Sequence, residues 1–112
     1  MTVDKRKALR EFLDYLRAQH GERVTFVALF GSKARGDSTR DSDVDVLVIL
    51  AQEDRQLRRE IVTQAARISL KYDVLLSPRV IGAERWEEMR GFSLYRNVQR
   101  EAIPLVPEGA ED

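Results

Sequence analysis

Two apolar runs separated by a polar, glycine-containing segment constrain the fold of this chain more than any other feature. Val24–Phe30 and Val44–Leu50 are almost entirely apolar or β-branched, which is typical of strands that are covered on both faces. Only five residues separate Gly36 from Ser42 in the segment between them. This stretch is too short to hold the helix of a βαβ crossover, which favours a hairpin-like pair of strands. The two strands are therefore predicted to be neighbours.

Further helices and one more strand are predicted around this pair. Apolar residues at helical spacing precede the first strand, with Thr2 as the candidate N-cap and His20 and Gly21 as the end. The remaining predicted elements are a helix from about Glu53, a third strand over Tyr72–Ile81, a short helix over Glu84–Met89 and a last helix over Leu94–Ala102. Pro78 predicts that the second half of the third strand lies at a sheet edge.

This order of elements predicts an α/β (α+β) fold in which helices flank a short mixed β-sheet. A chain of 112 residues has the usual length of one domain. We expect this domain to span residues 1–106, followed by a flexible C-terminal tail over residues 107–112.

Composition narrows the classes of function. The 19 basic residues balance the 19 acidic residues, whereas a protein that coats polymeric nucleic acid normally has a basic surplus. A local basic patch is still sufficient to bind one nucleotide. The chain contains no cysteine, which argues against disulfides and thiolate metal sites. No apolar run has the length of a membrane span. We therefore expect a cytoplasmic protein that binds neither a nucleic acid polymer nor a membrane.

Acidic residues stand where two of the predicted strands begin. Asp43 and Asp45 project together because strand residues two apart point to the same face. Like charges this close repel unless a cation lies between them, and oxygen ligands select hard ions such as Mg²⁺. Asp73 adds a third carboxylate if the third strand neighbours the second. Three carboxylates predict two Mg²⁺ ions about 4 Å apart, as in phosphoryl transfer. The alternatives are a solvated turn for the pair and an edge-protecting acid for Asp73.

The residues that follow the first strand predict an anion-binding turn. Gly31 allows a ligand to approach the backbone closely, and Ser32 adds a hydroxyl donor. Backbone N–H groups that open a helical turn here would point at the anion. Lys33, Arg35 and Arg40 are candidate phosphate contacts, with a solvated surface charge as the alternative for each. The glycine motifs of the Walker and Rossmann loops are absent from the sequence.

The motif GSKARG at residues 31–36, followed by SDVD at residues 42–45, resembles the signature of the DNA polymerase beta nucleotidyltransferase superfamily. The similarity is closest to its minimal nucleotidyltransferases and runs through Val80. It implies a small nucleotidyltransferase fold in which Gly31 and Ser32 hold the nucleotide triphosphate. It also implies that Asp43 and Asp45 bind Mg²⁺, and that Asp73 is a further metal ligand or the general base.

The resemblance also implies a protein partner. Minimal nucleotidyltransferases are typically paired with a helical HEPN protein as the antitoxin of a toxin–antitoxin module, and some transfer AMP from ATP to a tyrosine of that toxin. Two alternatives stay open: a catalytically silent antitoxin that acts by contact, and nucleotidyl transfer to a small molecule. The sequence leaves the acceptor, the base of the nucleotide and the oligomeric state, including a homo-oligomer, undecided.

Four apolar residues of the last helices have two interpretations. Trp86, Met89, Leu94 and Tyr95 either pack in the core or form the surface to which the partner docks. Core packing is the expected role of most residues of this kind, and it is the alternative against which docking has to be tested. His20, the only histidine, is interpreted as a helix-end residue and not as a catalytic group.

Overall fold

The computed structural model describes residues 2–30 and 43–105. These two segments contain α-helices and β-strands, with a short 3₁₀ turn at Gly21–Arg23. The helices are α1 (Val3–His20), α2 (Arg55–Tyr72), α3 (Ala83–Glu88) and α4 (Ser93–Glu101). The strands are β1 (Val24–Phe30), β2 (Val44–Leu50), β3 (Leu76–Gly82) and β4 (Ile103–Pro104).

The strands form one mixed sheet in the order β3-β2-β1-β4. β1 pairs antiparallel with β2 and with β4, whereas β2 pairs parallel with β3. This arrangement confirms the predicted mixed sheet and the predicted hairpin-like pair. β3 is an edge strand, as the proline at position 78 predicted, because an edge strand needs no N–H donor on its outer side. The two-residue strand β4 was not predicted from the sequence.

Side-chain caps fix the starts of the two long helices. The Thr2 hydroxyl accepts a hydrogen bond from the backbone N–H of Lys5 at 3.1 Å, which confirms the predicted N-cap. The Asp54 carboxylate caps α2 in the same way, accepting from the N–H of Leu57 at 3.0 Å. Because each cap satisfies an N–H group that has no partner within the helix, it determines where the helix begins.

The sheet has an apolar cluster on each face. α1 and α2 cover one face, where the larger cluster contains Phe12, Leu16 and Ile61. The smaller cluster, on the other face, is built from Leu47, Ile49, Ile81, Trp86 and Val98. Alternate residues of β2 contribute to opposite clusters, as the period of two in a strand requires. Both faces of β2 are therefore covered, which explains its nearly continuous apolar sequence.

The predicted start of the third strand is wrong by four residues. Helix α2 continues through Tyr72, and β3 begins only at Leu76. The last turn of α2 is held to α1, because Lys71 and the Tyr72 hydroxyl both donate hydrogen bonds to Glu11. These contacts between distant segments outweigh the local apolar pattern that suggested a strand. Asp73 therefore does not open the strand and instead ends the helix.

Candidate functional site

Two of the three acidic residues that the sequence singled out, Asp43 and Asp45, lie at one end of the strands of the sheet. β2 begins there, the parallel strand β3 begins beside it, and the antiparallel strand β1 ends there. Asp43 is exposed and directly precedes β2, while Asp45 is half-buried within it. We call this region, which comprises the end of β1, the start of β2 and the start of β3, the acid edge.

The pleat of β2 determines which face the acids share. Asp45 alternates with the buried residues Val44 and Val46 of the larger cluster, so it points to the same face as Leu47 and Ile49. Asp43 precedes Asp45 by two residues and belongs to the same face. The two carboxylates thus lie where the smaller apolar cluster meets solvent. Repulsion between them favours a cation at this position.

Asp73 does not join these two acids in a three-carboxylate cluster. Among the described residues, no group of three or more His, Cys, Asp or Glu side chains is close enough to hold one metal ion. Asp73 has a left-handed backbone conformation (φ 54°, ψ 43°), and its N–H donates to the Ser69 carbonyl. The chain reaches the acid edge two residues later, where the Leu75 carbonyl accepts from the N–H of Val44 at 2.9 Å.

A buried serine, which the sequence analysis did not single out, holds the turn that contains Asp73. The Ser69 hydroxyl donates to the Ala65 carbonyl at 2.8 Å and accepts from the N–H of Leu76 at 3.0 Å. Ser69 is 8% exposed, so these hydrogen bonds are shielded from water. They join the end of α2 to the first residue of β3. In the sequence, the signal for this role was a polar residue one helical turn after Ala65, on the face of α2 that is buried.

The predicted phosphate-binding residues lie outside the described part of the chain. They are Gly31, Ser32, Lys33, Arg35 and Arg40. The residue that precedes them in the sequence, Phe30, is the Cα partner of Asp45 in the β1–β2 pair. The chain therefore leaves β1 beside Asp45, the second of the two acids.

A polar cleft between α1 and α2 is a further grouping of titratable side chains. It has a volume of about 590 Å³ and is lined by residues that include Tyr15, His20, Glu60 and Arg67. The Tyr15 hydroxyl lies 3.0 Å from Nε2 of His20, and burial, followed by the charge of Glu60, raises the pKa of Tyr15. His20 ends α1, as predicted. Helix α1 ends at the side of the sheet opposite to the acid edge, so this cleft does not extend the acid pair.

The interpretation of the late apolar residues as core is supported for Trp86. Its side chain is 8% exposed and belongs to the smaller cluster. Met89, Leu94 and Tyr95 are partly buried against the same cluster, and the ring of Tyr95 lies 4.6 Å from that of Trp86. Packing against the sheet therefore occupies most of the surface of Trp86, which leaves Phe92, 64% exposed, as the prominent apolar side chain between α3 and α4.

Comparison of the chain with known proteins gives consistent matches. Residues 9–101 match the nucleotidyltransferase domain family. The Methanocaldococcus jannaschii protein MJ0604, described as a protein adenylyltransferase, is 31% identical over 103 residues, which cover 92% of this chain and 99% of the relative. A second protein of that organism with the same description, MJ0141, is 39% identical over 71 residues, which cover 62% of this chain and 72% of the relative.

Solved structures share the fold. A minimal nucleotidyltransferase is similar with a TM-score of 0.58 and 28% identity, covering 94% of this chain and 97% of the other. A toxin–antitoxin protein crystallised with AMP-PNP has a TM-score of 0.56 and 21% identity, with coverage of 89% and 74%. These matches confirm the predicted small nucleotidyltransferase fold.

No helix in residues 2–30 or 43–105 is long and apolar enough to cross a bilayer.

Proposed function

This chain belongs to the nucleotidyltransferase domain family, and we propose that it is a Mg²⁺-dependent protein adenylyltransferase that modifies a partner toxin. In this reaction the hydroxyl oxygen of a tyrosine of the partner attacks the α-phosphorus of ATP. A new oxygen–phosphorus bond forms, the bond from the α-phosphorus to the bridging oxygen breaks, and pyrophosphate leaves. The hydroxyl proton passes to a carboxylate acting as general base.

The observation that carries this proposal is the position of Asp43 and Asp45 on one face of β2, beside the end of β1. All donors of this pair are carboxylate oxygens, which fit a hard divalent cation such as Mg²⁺. When bound there, Mg²⁺ would neutralise charge on the phosphates and orient the α-phosphate. The family motif then assigns the triphosphate to Gly31 and Ser32, directly after β1, with Lys33 and Arg35 as supporting cations.

We assign one of two roles to Asp73: it accepts the proton of the attacking hydroxyl, or it binds a second Mg²⁺ ion. Its turn is fixed by Ser69 and enters the acid edge at Leu75. A rotation of the Asp73 carboxylate toward Asp43 on nucleotide binding would complete the set of three acids. This role predicts that Asp73→Asn lowers the transfer rate while the affinity for nucleotide changes little.

The descriptions of the relatives support a protein as the acceptor and a toxin as the partner. MJ0604 is described as a protein adenylyltransferase, and several solved structures with this fold are toxin–antitoxin proteins, one of them with an ATP analogue. We therefore propose a HEPN-type toxin as the partner and a tyrosine of that toxin as the acceptor. Without a bound acceptor, the enzyme should transfer AMP slowly, because positioning of reactants supplies a large part of the rate.

The experiment that tests this function is co-expression of the chain with the product of the adjacent open reading frame, followed by incubation with Mg²⁺ and ATP. We expect a stable complex and AMP units on a tyrosine of the partner, detected by mass spectrometry. A complex with an unmodified partner would instead favour inhibition by contact alone. If no complex forms, the toxin assignment is wrong. Transfer to an added small molecule but not to the partner would favour the remaining alternative.

A further inference from the structure

Strand β3 carries two polar residues on the same face as the acid pair. In the parallel β2–β3 register, Ser77 is the Cα partner of Asp45 and Arg79 is the partner of Leu47. Paired residues of neighbouring strands point to the same face. Ser77 therefore lies directly beside Asp45, and Arg79 lies one step further along the strand. Strand spacing and rise place the Cα atoms of Arg79 and Asp45 about 8 Å apart.

The guanidinium of Arg79 is available to a ligand. Arg79 is exposed, although it is next to fully buried Leu47 in the sheet. Its side chain forms no hydrogen bond or ion pair with any other residue in the described segments, 2–30 and 43–105. Other arginines of the chain do form such contacts, as Arg58 does with Glu53 and Arg90 with Glu87. An exposed guanidinium that has no partner among the described residues and lies beside the acid face is a candidate recognition group for an anion, because it can form charge-assisted hydrogen bonds.

The order of the strands indicates which reactant this anion belongs to. β1 and β3 lie on opposite sides of β2, in the sheet order β3-β2-β1-β4. The proposed triphosphate site follows β1. In an in-line displacement, the attacking and leaving oxygens are on opposite sides of the phosphorus. If pyrophosphate leaves on the side of β1, the acceptor hydroxyl must approach on the side of β3, where Ser77 and Arg79 lie.

We propose that Arg79 is a specificity-determining residue for the acceptor: it binds an acidic side chain that neighbours the modified hydroxyl on the partner protein. Ser77 donates a hydrogen bond to the same acceptor segment. This inference rests on the proposed function, since it uses the in-line geometry of nucleotidyl transfer. It goes further because it names the chemistry of the acceptor, an anionic group beside the hydroxyl. It also names β3 as the strand that binds this group.

The test uses three synthetic tyrosine peptides that differ only in the two residues flanking the tyrosine, which are both Glu, both Gln or both Lys. AMP incorporation with Mg²⁺ and ATP is followed by mass spectrometry, and the affinity for Mg-ATP is measured separately by calorimetry. We expect the wild-type protein to modify the Glu peptide about tenfold faster than the Gln peptide, as one charge-assisted hydrogen bond allows. Arg79→Ala should remove this preference, and Arg79→Glu should transfer it to the Lys peptide.

The matched control is Arg55→Ala, which removes an exposed arginine at the opposite end of β2, in the first turn of α2. It should keep the Glu preference. In all three variants the Kd for Mg-ATP should equal that of the wild type. A wild-type protein that modifies the Glu and Gln peptides at equal rates would overturn the proposal, and so would a weaker Mg-ATP affinity in Arg79→Ala. Loss of Mg-ATP binding in the wild type itself would instead contradict the proposed function.

Discussion

Acidic residues lie at both ends of β2, but their surroundings differ. At the end of β2, which we call the distal edge, Glu53 accepts hydrogen bonds from Arg58 and from the N–H of Gly82. Asp54 caps α2 and pairs with Arg23 at 3.4 Å. At the acid edge, Asp43 has no hydrogen bond or ion pair with another residue of the described ranges.

This difference separates structural acids from candidate ligands. The hydrogen bond from Arg58 holds the pKa of Glu53 below its usual range, so the charge of Glu53 is already satisfied within the protein. Asp43 lies at the opposite end of β2, where it is exposed to solvent beside a second acid. An acid whose charge is satisfied internally stabilises the fold, whereas two acids that lie side by side on one face repel each other and attract a cation. The comparison predicts distinct effects of substitution at the two edges.

The largest effect is expected at the acid edge. Asp43→Asn and Asp45→Asn should each reduce AMP transfer by several orders of magnitude, because the bound cation would lose one of its two carboxylates. Thermal stability should be unchanged or slightly higher for Asp43→Asn, since the repulsion between the two carboxylates is relieved. Transfer assays and thermal unfolding of the same preparations check both expectations. Near-normal transfer by either variant would contradict the assignment of the metal site.

The next effect concerns packing at the distal edge. A Cβ atom on Gly82 would lie 2.7 Å from Oε1 of Glu53 and 3.0 Å from its backbone Cα and N atoms. Gly82→Ala should therefore destabilise the protein by about 2 kcal/mol through overpacking. Gly91→Ala is the matched control, because a Cβ there would meet nothing within 4 Å. Urea denaturation compares the two variants. Equal midpoints would show that Glu53 moves away from the added methyl group without loss of stability.

The smallest effect is the pH dependence of the distal ion pair. The lowered pKa of Glu53 means that its stabilising contribution is complete above its unfolded-state value of about 4.5 and is lost as the pH falls through the folded-state pKa. The contribution should be below about 1 kcal/mol, because the pair is partly exposed. Glu53→Gln should thus be less stable than the wild type at pH 7 and approach it at pH 3. A constant difference in denaturation midpoint between these pH values would rule out a contribution from the charge.

Several features of the fold were predictable from the sequence because they depend on neighbouring residues. The cap at Thr2, the end of α1 at His20 and the pairing of β1 with β2 follow from local pattern and a short connection. The placement of Asp45 on one face of β2 follows from a period of two. The start of β3 did not follow from the local pattern, because the contacts of Lys71 and Tyr72 with Glu11 extend the preceding helix.

The sequence by itself determined the family, the mixed sheet and the pair of acids at the start of β2. These depend on motif spacing and on strand periodicity, which can be read along the chain. Only the tertiary structure decided that Asp73 occupies a left-handed turn held by Ser69, that Trp86 is packed beneath Tyr95, and that Ser77 and Arg79 lie beside the acid face. Each of these follows from the register between segments distant in sequence, and register is set by packing that no local pattern contains.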